Sequence, residues 1–208
     1  DNGRSRGLGD VYKRQTVPYR TTNRDLPFVL GLKYKIADKL VLNKFRAALG
    51  GKVRACSSGG SALSKEVGSF FCGIGISIIE GYGLTETSPV MTMGHPDFFK
   101  FGTVGKAIPG VEVKIQPDGE IVCKGHNVMM GYYKNEEATN EAIIDGWFHS
   151  GDIGEFDEDG LLRITDRKKS LIVTSGGKNV APQPMEVSLT SNKYLSLIHI
   201  SEPTRPSI

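Results

Sequence analysis

The chain has 208 residues, of which 38% are apolar and 24% charged, and this composition excludes an intrinsically disordered protein. Its net charge of +3 comes from 26 basic and 23 acidic residues that are interleaved along the chain, so no basic stripe points to nucleic acid. The three cysteines are widely spaced, so we expect no disulfides and a cytoplasmic protein. No apolar run approaches the roughly 18 to 20 residues of a bilayer-spanning helix, so we expect no transmembrane segment. Peripheral membrane contact and the oligomeric state are left open.

Both ends of the chain break the pattern of the rest. Residues 1–15 are polar, rich in glycine and arginine, and without periodicity. Residues 195–208 form a short apolar stretch followed by two prolines, which stop any regular element. Both strings resemble translated sequencing-adapter read-through, so we interpret them as artefactual or disordered ends and exclude them from the functional argument.

Residues 16–100 predict an α/β unit. Apolar residues recur with helical spacing over residues 32–49, and a short strand is predicted at residues 53–56. A second helix is predicted at residues 64–71, followed by a strand at residues 74–79. The continuous apolar run of this strand is typical of a parallel sheet that is buried on both faces.

Residues 101–166 predict antiparallel structure. Alternating residues 111–115 and 120–124 flank Gln116-Pro117-Asp118-Gly119, which is a hairpin signal. Residues 153–156 and 161–164 flank a second such signal, Asp157-Glu158-Asp159-Gly160. We expect a small antiparallel sheet or barrel here, followed at residues 167–194 by a hinge and the start of a further domain.

Two glycine-containing loops follow the predicted strands of the α/β unit. Gly59 and Gly60 would let a flat ring approach the backbone, although a plain strand-to-helix turn explains them equally well. The run Gly81-Tyr82-Gly83-Leu84-Thr85-Glu86 combines an aromatic ring that can stack on a base, a hydroxyl that can bind a phosphate oxygen and a carboxylate that can hold Mg²⁺. Each residue alone fits a capped turn, whereas the ordered set indicates a nucleotide site.

The second half of the chain adds further polar candidates. Asp152, which ends the run Gly146-Trp147-Phe148-His149-Ser150-Gly151-Asp152, can accept hydrogen bonds from both hydroxyls of a ribose. His149 has no nucleophile or carboxylate partner in the adjacent sequence, so we interpret it as a structural histidine. Arg167 offers a rigid fork of donors to sugar or phosphate oxygens, and Gly176-Gly177 predicts a flexible loop, although a solvated turn fits both.

Taken in order, these runs resemble the motifs of the AMP-forming adenylating superfamily, which holds acyl-CoA synthetases, luciferases and the adenylation domains of peptide synthetases. The resemblance covers about residues 16–194 and is carried by residues 81–86, 102–110, 147–152, 166–169 and 176–179. Residues 173–184 are most similar to the long-chain fatty acyl-CoA synthetase branch. The resemblance implies part of the N-terminal domain of an acyl-adenylate-forming enzyme and the start of its C-terminal domain.

The resemblance also implies a role for each candidate residue. The residues that would bind the adenine, the phosphate and the ribose of the nucleotide are Gly59, Gly60, Tyr82, Gly83, Thr85, Asp152 and Arg167. Tyr82 would stack on adenine, and Asp152 with Arg167 would bind the ribose. Thr85, Glu86 as the Mg²⁺ ligand and Lys169 as the hinge would form the catalytic set, while Gly176, Gly177 and Lys178 would line the channel for CoA.

The implied function is the ATP-dependent ligation of a long-chain fatty acid to CoA. The carboxylate and ATP would give acyl-AMP and pyrophosphate, and the CoA thiolate would then displace AMP. An adenylation domain that loads a carrier protein and a non-catalytic nucleotide-binding module are the alternatives. The phosphate loop ending in Pro-Lys-Gly and the C-terminal lysine of the family are absent from this sequence, so we expect this chain to bind ATP or AMP weakly and to form no measurable acyl-CoA.

Overall fold

The computed structural model describes residues 15–168 and, for the backbone alone, residues 172–173 and 179–180. A helical turn at residues 15–20 precedes the helices α1 Phe28–Ala37, α2 Asn43–Ala48, α3 Lys65–Gly73 and α4 Glu136–Ala142. A π-helical segment, Asp38–Leu42, joins α1 to α2, and a 3₁₀ turn spans Thr85–Thr87. The strands are β1 Ala55–Ser58, β2 Ser77–Tyr82, β3 Thr92–Met93, β4 Lys106–Ala107, β5 Val111–Ile115, β6 Glu120–Gly125, β7 Ile143–Ile144, β8 Trp147–Phe156, β9 Leu162–Arg167, β10 Ile172–Val173 and β11 Asn179–Val180.

The first sheet contains the predicted parallel pair. Strands β1 and β2 run parallel, with Ser58 opposite Glu80, and α3 connects them. Helix α3 begins after Ser64, whose hydroxyl oxygen accepts a hydrogen bond from the amide of Val67, as expected of an N-cap serine. Strands β3 and β4 extend this sheet in antiparallel fashion, so the sheet is mixed.

The second sheet is antiparallel and has the strand order β5-β6-β8-β7, with β9 also paired to β8. Both predicted hairpins are present, as β5–β6 and β8–β9. Among the described strands this sheet does not close on itself, so the prediction of an antiparallel sheet is confirmed and its barrel alternative is not. The short pair β10–β11 is antiparallel and separate.

One apolar cluster joins the two sheets. It consists of Tyr82, Met91, Val111, Ile121, Cys123, Phe148 and Leu162, all buried. Because Tyr82 ends β2 while Phe148 and Leu162 lie in β8 and β9, this cluster brings the end of the parallel strand beside the antiparallel sheet.

The predicted helix at residues 32–49 is present as α1, the π-helical segment and α2. It begins earlier than predicted, at Phe28, directly after Pro27. Its apolar side chains remain substantially exposed, among them Phe28, Leu32, Ile36, Leu40 and Phe45. No helix among the described residues is both long and apolar enough to cross a bilayer.

Candidate nucleotide site

Asp152 lies at the centre of the candidate site and contacts two other candidate residues. The hydroxyl of Tyr82 donates a hydrogen bond to Oδ2 of Asp152 over 2.6 Å. Nε of Arg167 lies 3.2 Å from Oδ1 of the same carboxylate. Asp152 and Arg167 face each other as register partners on β8 and β9. Three residues that the sequence assigns to one nucleotide therefore meet at one carboxylate.

The three residues differ in their exposure to solvent. Tyr82 is 9% exposed and Asp152 5% exposed, whereas the side chain of Arg167 is 69% exposed. Burial, followed by the hydrogen bond to Asp152, raises the pKa of Tyr82, so its hydroxyl stays protonated and acts as a donor at neutral pH. The ring of Tyr82 is largely enclosed by the apolar cluster, and its stacking on adenine stays a prediction.

The loop after Tyr82 is held in one shape by close packing and by hydrogen bonds. A Cβ atom on Gly83 would lie 1.8 Å from the carbonyl oxygen of Pro89, so any side chain here would force the backbone to shift. The buried hydroxyl of Thr87 accepts a hydrogen bond from the amide of Leu84 over 2.9 Å. Nδ2 of Asn127 donates to the carbonyl oxygens of Thr87 and Val90 over 3.1 and 2.9 Å. Between these anchors Thr85 stays exposed, and its binding to a phosphate stays a prediction.

Glu86 lies in the same 3₁₀ turn and is partly exposed. The hydroxyl of Tyr132 donates to its Oε1 over 3.0 Å, and burial together with this hydrogen bond raises the pKa of Tyr132. The described residues contain no group of three or more side chains that could hold a metal ion by themselves. One accessible carboxylate nevertheless suits Mg²⁺, which commonly takes one or two protein carboxylates beside phosphate oxygens. Within residues 15–168, neither Thr85 nor Glu86 forms a hydrogen bond or ion pair with Asp152 or Arg167.

Gly59 and Gly60 follow β1 and lie beside the end of β2. A Cβ atom on Gly59 would lie 3.3 Å from the carbonyl oxygen of Gly81, which shows the close approach of the two strand ends. Gly60 has a φ of +80° and open space around the position of a Cβ atom. The two glycines are thus near Tyr82 in the sheet, although their contact with a base stays a prediction.

A second carboxylate, that of Glu120, accepts a hydrogen bond from the amide of Gly151, the residue before Asp152. Glu120 is 6% exposed. Nδ1 of His149 lies 2.9 Å from its Oε2, so the interpretation that His149 lacks a carboxylate partner is wrong. The partner comes from β6, 29 residues away, and is invisible in the adjacent sequence. Nζ of Lys168 donates to Oε2 of Glu120 over 3.1 Å and pairs with Asp118 at 2.7 Å. The structural role expected for His149 fits this part-buried network.

Sequence reasoning did not identify Glu120, Asn127 and Tyr132, each of which holds a part of the site. Their side-chain partners lie 29 to 48 residues away, and no spacing motif marks such pairs. The one available signal is Glu120 itself, a charged residue at the start of the apolar strand β6. The hinge candidate Lys169 and the channel candidates Gly176, Gly177 and Lys178 lie outside the described residues. So do residues 1–14 of the predicted N-terminal string 1–15 and the whole C-terminal string 195–208.

The chain matches the family model described as AMP-binding enzyme over residues 19–133. It is 47% identical over 180 residues to the long-chain-fatty-acid–CoA ligase FadD15 of Mycobacterium bovis, covering 86% of this chain and 30% of that protein. It is 44% identical over 162 residues to the long-chain-fatty-acid–CoA ligase ACSBG2 of Xenopus laevis, covering 74% of this chain and 22% of that protein. The chain therefore spans less than a third of the length of these relatives.

Solved structures resemble the fold as well. O-succinylbenzoate coenzyme A synthetase from Bacillus subtilis, in complex with ATP and magnesium ion, superimposes with a TM-score of 0.61 at 31% identity, over 71% of this chain and 35% of that one. ATP-bound MatB from Rhodopseudomonas palustris gives a TM-score of 0.62 at 33% identity, over 68% of this chain and 31% of that one.

Proposed function

Since the chain belongs to the AMP-binding enzyme family, we propose that it forms the adenylate-binding face of an ATP-dependent ligase that joins a long-chain fatty acid to CoA. The observation that carries the proposal is the contact of Tyr82 and Arg167 with opposite oxygens of Asp152. The names of the most similar relatives, which are long-chain fatty acid–CoA ligases, support the substrate class.

The proposed roles follow from the positions of the side chains. Asp152 accepts hydrogen bonds from the ribose hydroxyls, and the exposed guanidinium of Arg167 can reach the same sugar without losing its contact with Asp152. Adenine lies near Tyr82, Gly59 and Gly60, and the exposed hydroxyl of Thr85 binds the phosphate. Buried Tyr82 keeps one oxygen of Asp152 in place, so the carboxylate is oriented before the sugar arrives.

Glu86 would hold Mg²⁺, which neutralises charge on the transferring phosphate when bound. Tyr132 orients the carboxylate of Glu86 through one oxygen and leaves the other oxygen available. Lys169 as hinge and Gly176, Gly177 and Lys178 as CoA channel complete the proposal. In this scheme carboxylate and ATP form acyl-AMP and pyrophosphate, after which CoA displaces AMP.

Titration of the 208-residue chain with AMP tests the nucleotide site. Asp152→Asn keeps the shape of the side chain but removes the charge that the ribose hydroxyls bind, so the dissociation constant for AMP should rise roughly tenfold or more. Asp145→Asn is the matched control, because Asp145 is exposed and has a φ of 52°, which asparagine tolerates. Equal affinities of the Asp152 variant and the control for AMP would refute the assigned role of Asp152.

A second ligand separates a ligase from a plain nucleotide-binding module. A non-hydrolysable acyl-adenylate analogue, such as palmitoyl-sulfamoyl adenosine, should bind the chain more tightly than AMP, since a ligase is complementary to its intermediate. Indistinguishable affinities would favour the module. We expect no measurable acyl-CoA from the chain itself, and robust thioester formation from CoA would contradict that expectation. Transfer to a phosphopantetheinyl carrier protein instead of CoA would favour the carrier-loading alternative.

A further inference from the structure

The carboxylate of Glu120 binds the chain neighbours of both residues that are assigned to the ribose. Oε1 of Glu120 accepts a hydrogen bond from the amide of Gly151 over 3.0 Å, and Gly151 directly precedes Asp152. Oε2 accepts one from Nζ of Lys168 over 3.1 Å, and Lys168 directly follows Arg167. One buried side chain thus binds both flanks of the Asp152–Arg167 pair, and among the described residues it forms no hydrogen bond or ion pair with either member.

The segment that carries Asp152 is a β-bulge in the pairing of β8 with β6. Between the register pairs Glu120↔Ile153 and Val122↔His149, β6 advances by two residues while β8 advances by four. Gly151 has a φ of +71° inside this bulge. Backbone amides in a bulge lose their ladder partner, and bulges next to functional sites direct a side chain away from the sheet. Glu120 supplies the missing acceptor for the amide of Gly151.

The hydroxyl of Ser150 also ties this bulge to β6. Ser150 donates its hydroxyl proton to the carbonyl oxygen of Ile121 over 2.6 Å and accepts a hydrogen bond from the amide of Asp152 over 3.1 Å. The orientation of Asp152 therefore depends on β6 through two side chains, of which only Glu120 also reaches the end of β9.

The charge of Glu120 is maintained despite its burial. Burial alone would raise the pKa of this carboxyl, but the hydrogen bonds from His149, Lys168 and the amide of Gly151 outweigh it and lower the pKa. Glu120 is therefore ionised at neutral pH and can hold three donors at once. A neutral amide in its place has one acceptor oxygen and cannot serve all three.

We propose that Glu120 is a positioning residue of the nucleotide site, which fixes the Asp152 bulge and the end of β9 in the one arrangement that binds the ribose. The inference rests on the proposed function of Asp152 and Arg167, and it assigns to Glu120 no contact with the nucleotide. It differs from a purely structural role in one respect, because the loss of Glu120 should affect the recognition of the ribose hydroxyls more than the rest of the ligand.

The test compares AMP with 2′,3′-dideoxy-AMP, which lacks both hydroxyls, by titration of the 208-residue chain. The unsubstituted chain should bind AMP about tenfold more tightly than the analogue. Glu120→Gln should weaken the binding of AMP on the order of fivefold to tenfold and leave the analogue unchanged. Glu112→Gln, an exposed glutamate on the adjacent strand β5, is the matched control and should alter neither.

The other outcomes are equally informative. If Glu120→Gln loses affinity for AMP and for the analogue to the same extent, the variant is generally unfolded and the proposal is overturned. An unchanged affinity of Glu120→Gln for AMP would also overturn the proposal. If Glu120→Gln fails to fold, Lys168→Met is the variant to compare, since this side chain is 48% exposed and its removal breaks the contacts of the residue after β9 with Glu120 and Asp118. Lys168→Met should lose less affinity than Glu120→Gln, and the loss should again be confined to AMP. If Lys168→Met binds AMP as tightly as the unsubstituted chain, the proposal is contradicted.

If the unsubstituted chain binds AMP and 2′,3′-dideoxy-AMP with equal affinity, the ribose role of Asp152 is refuted, and with it the proposed function. In that case, the rate of hydrogen exchange at the Gly151 amide still shows whether Glu120 holds the bulge. Exchange at Gly151 should be faster in Glu120→Gln than in Glu112→Gln, while exchange at Cys123, in the regular part of β6, stays the same. Unchanged exchange at Gly151 would show that Glu120 does not hold the bulge.

Discussion

Tyr82 donates its hydroxyl proton to Asp152 over 2.6 Å, although 70 residues separate the two in the chain. Both residues are buried, so water does not compete for this hydrogen bond. The acceptor is a carboxylate, and hydrogen bonds to a charged group are stronger than those between neutral groups. At the residue scale this contact links the α/β sheet to the antiparallel sheet through polar atoms within an otherwise apolar cluster.

Tyr82→Phe should therefore destabilise the fold. The substitution keeps the ring and leaves a buried oxygen of Asp152 without its donor, so the free energy of unfolding should fall by about 1–3 kcal/mol. Urea unfolding measures this change. Tyr133→Phe is the control, since Tyr133 is 88% exposed and should shift the midpoint little. Equal midpoints for the two variants would show that the Tyr82–Asp152 bond does not contribute to stability.

At the scale of elements, the loop between β2 and β3 depends on a glycine for steric reasons. Gly83→Ala would place its Cβ 1.8 Å from the carbonyl oxygen of Pro89, so the loop that carries Thr85 and Glu86 must shift. We expect a loss of roughly 1–3 kcal/mol in the free energy of unfolding. Gly31→Ala in α1 is the matched control, because the nearest atoms lie 3.9 Å from its Cβ position and alanine favours a helix by about 1 kcal/mol over glycine.

Chemical denaturation of the two glycine variants should thus give shifts of opposite sign. A Gly83→Ala chain as stable as the Gly31→Ala chain would mean that the loop relaxes freely and that its shape is not fixed by the contact with Pro89.

The elements that the sequence predicts well are those with local signals. The hairpins β5–β6 and β8–β9 follow from turn residues that lie between alternating strands, and the β1–α3–β2 unit follows from periodicity. The bulge at Ser150–Asp152 has no such signal, because it results from the pairing of β8 with β6 across the sheet. The pairing of His149 with Glu120 depends on that register, which explains why the sequence interpretation missed it.

At the scale of the whole molecule, the order of the motifs predicts that distant loops meet at one nucleotide. The contacts of Asp152 with Tyr82 and Arg167 bring these segments together, and their meeting at a nucleotide stays a prediction. The sequence could not predict that Tyr82 is enclosed in the cluster that joins the sheets, since burial depends on packing between elements. It also could not predict the exposed apolar side chains of α1 and α2, because periodicity marks a helix face without showing what covers it.

We propose that the segment 81–86 and the residues Asp152 and Arg167 form one nucleotide site. Titration of the isotope-labelled 208-residue chain with AMP, followed by the backbone amide signals in nuclear magnetic resonance, tests it most directly. We expect the signals of Tyr82, Thr85, Asp152 and Arg167 to shift together with one dissociation constant, while the signal of Asp145 in its exposed turn does not shift. Shifts confined to one of the two segments, or two different dissociation constants, would contradict the claim.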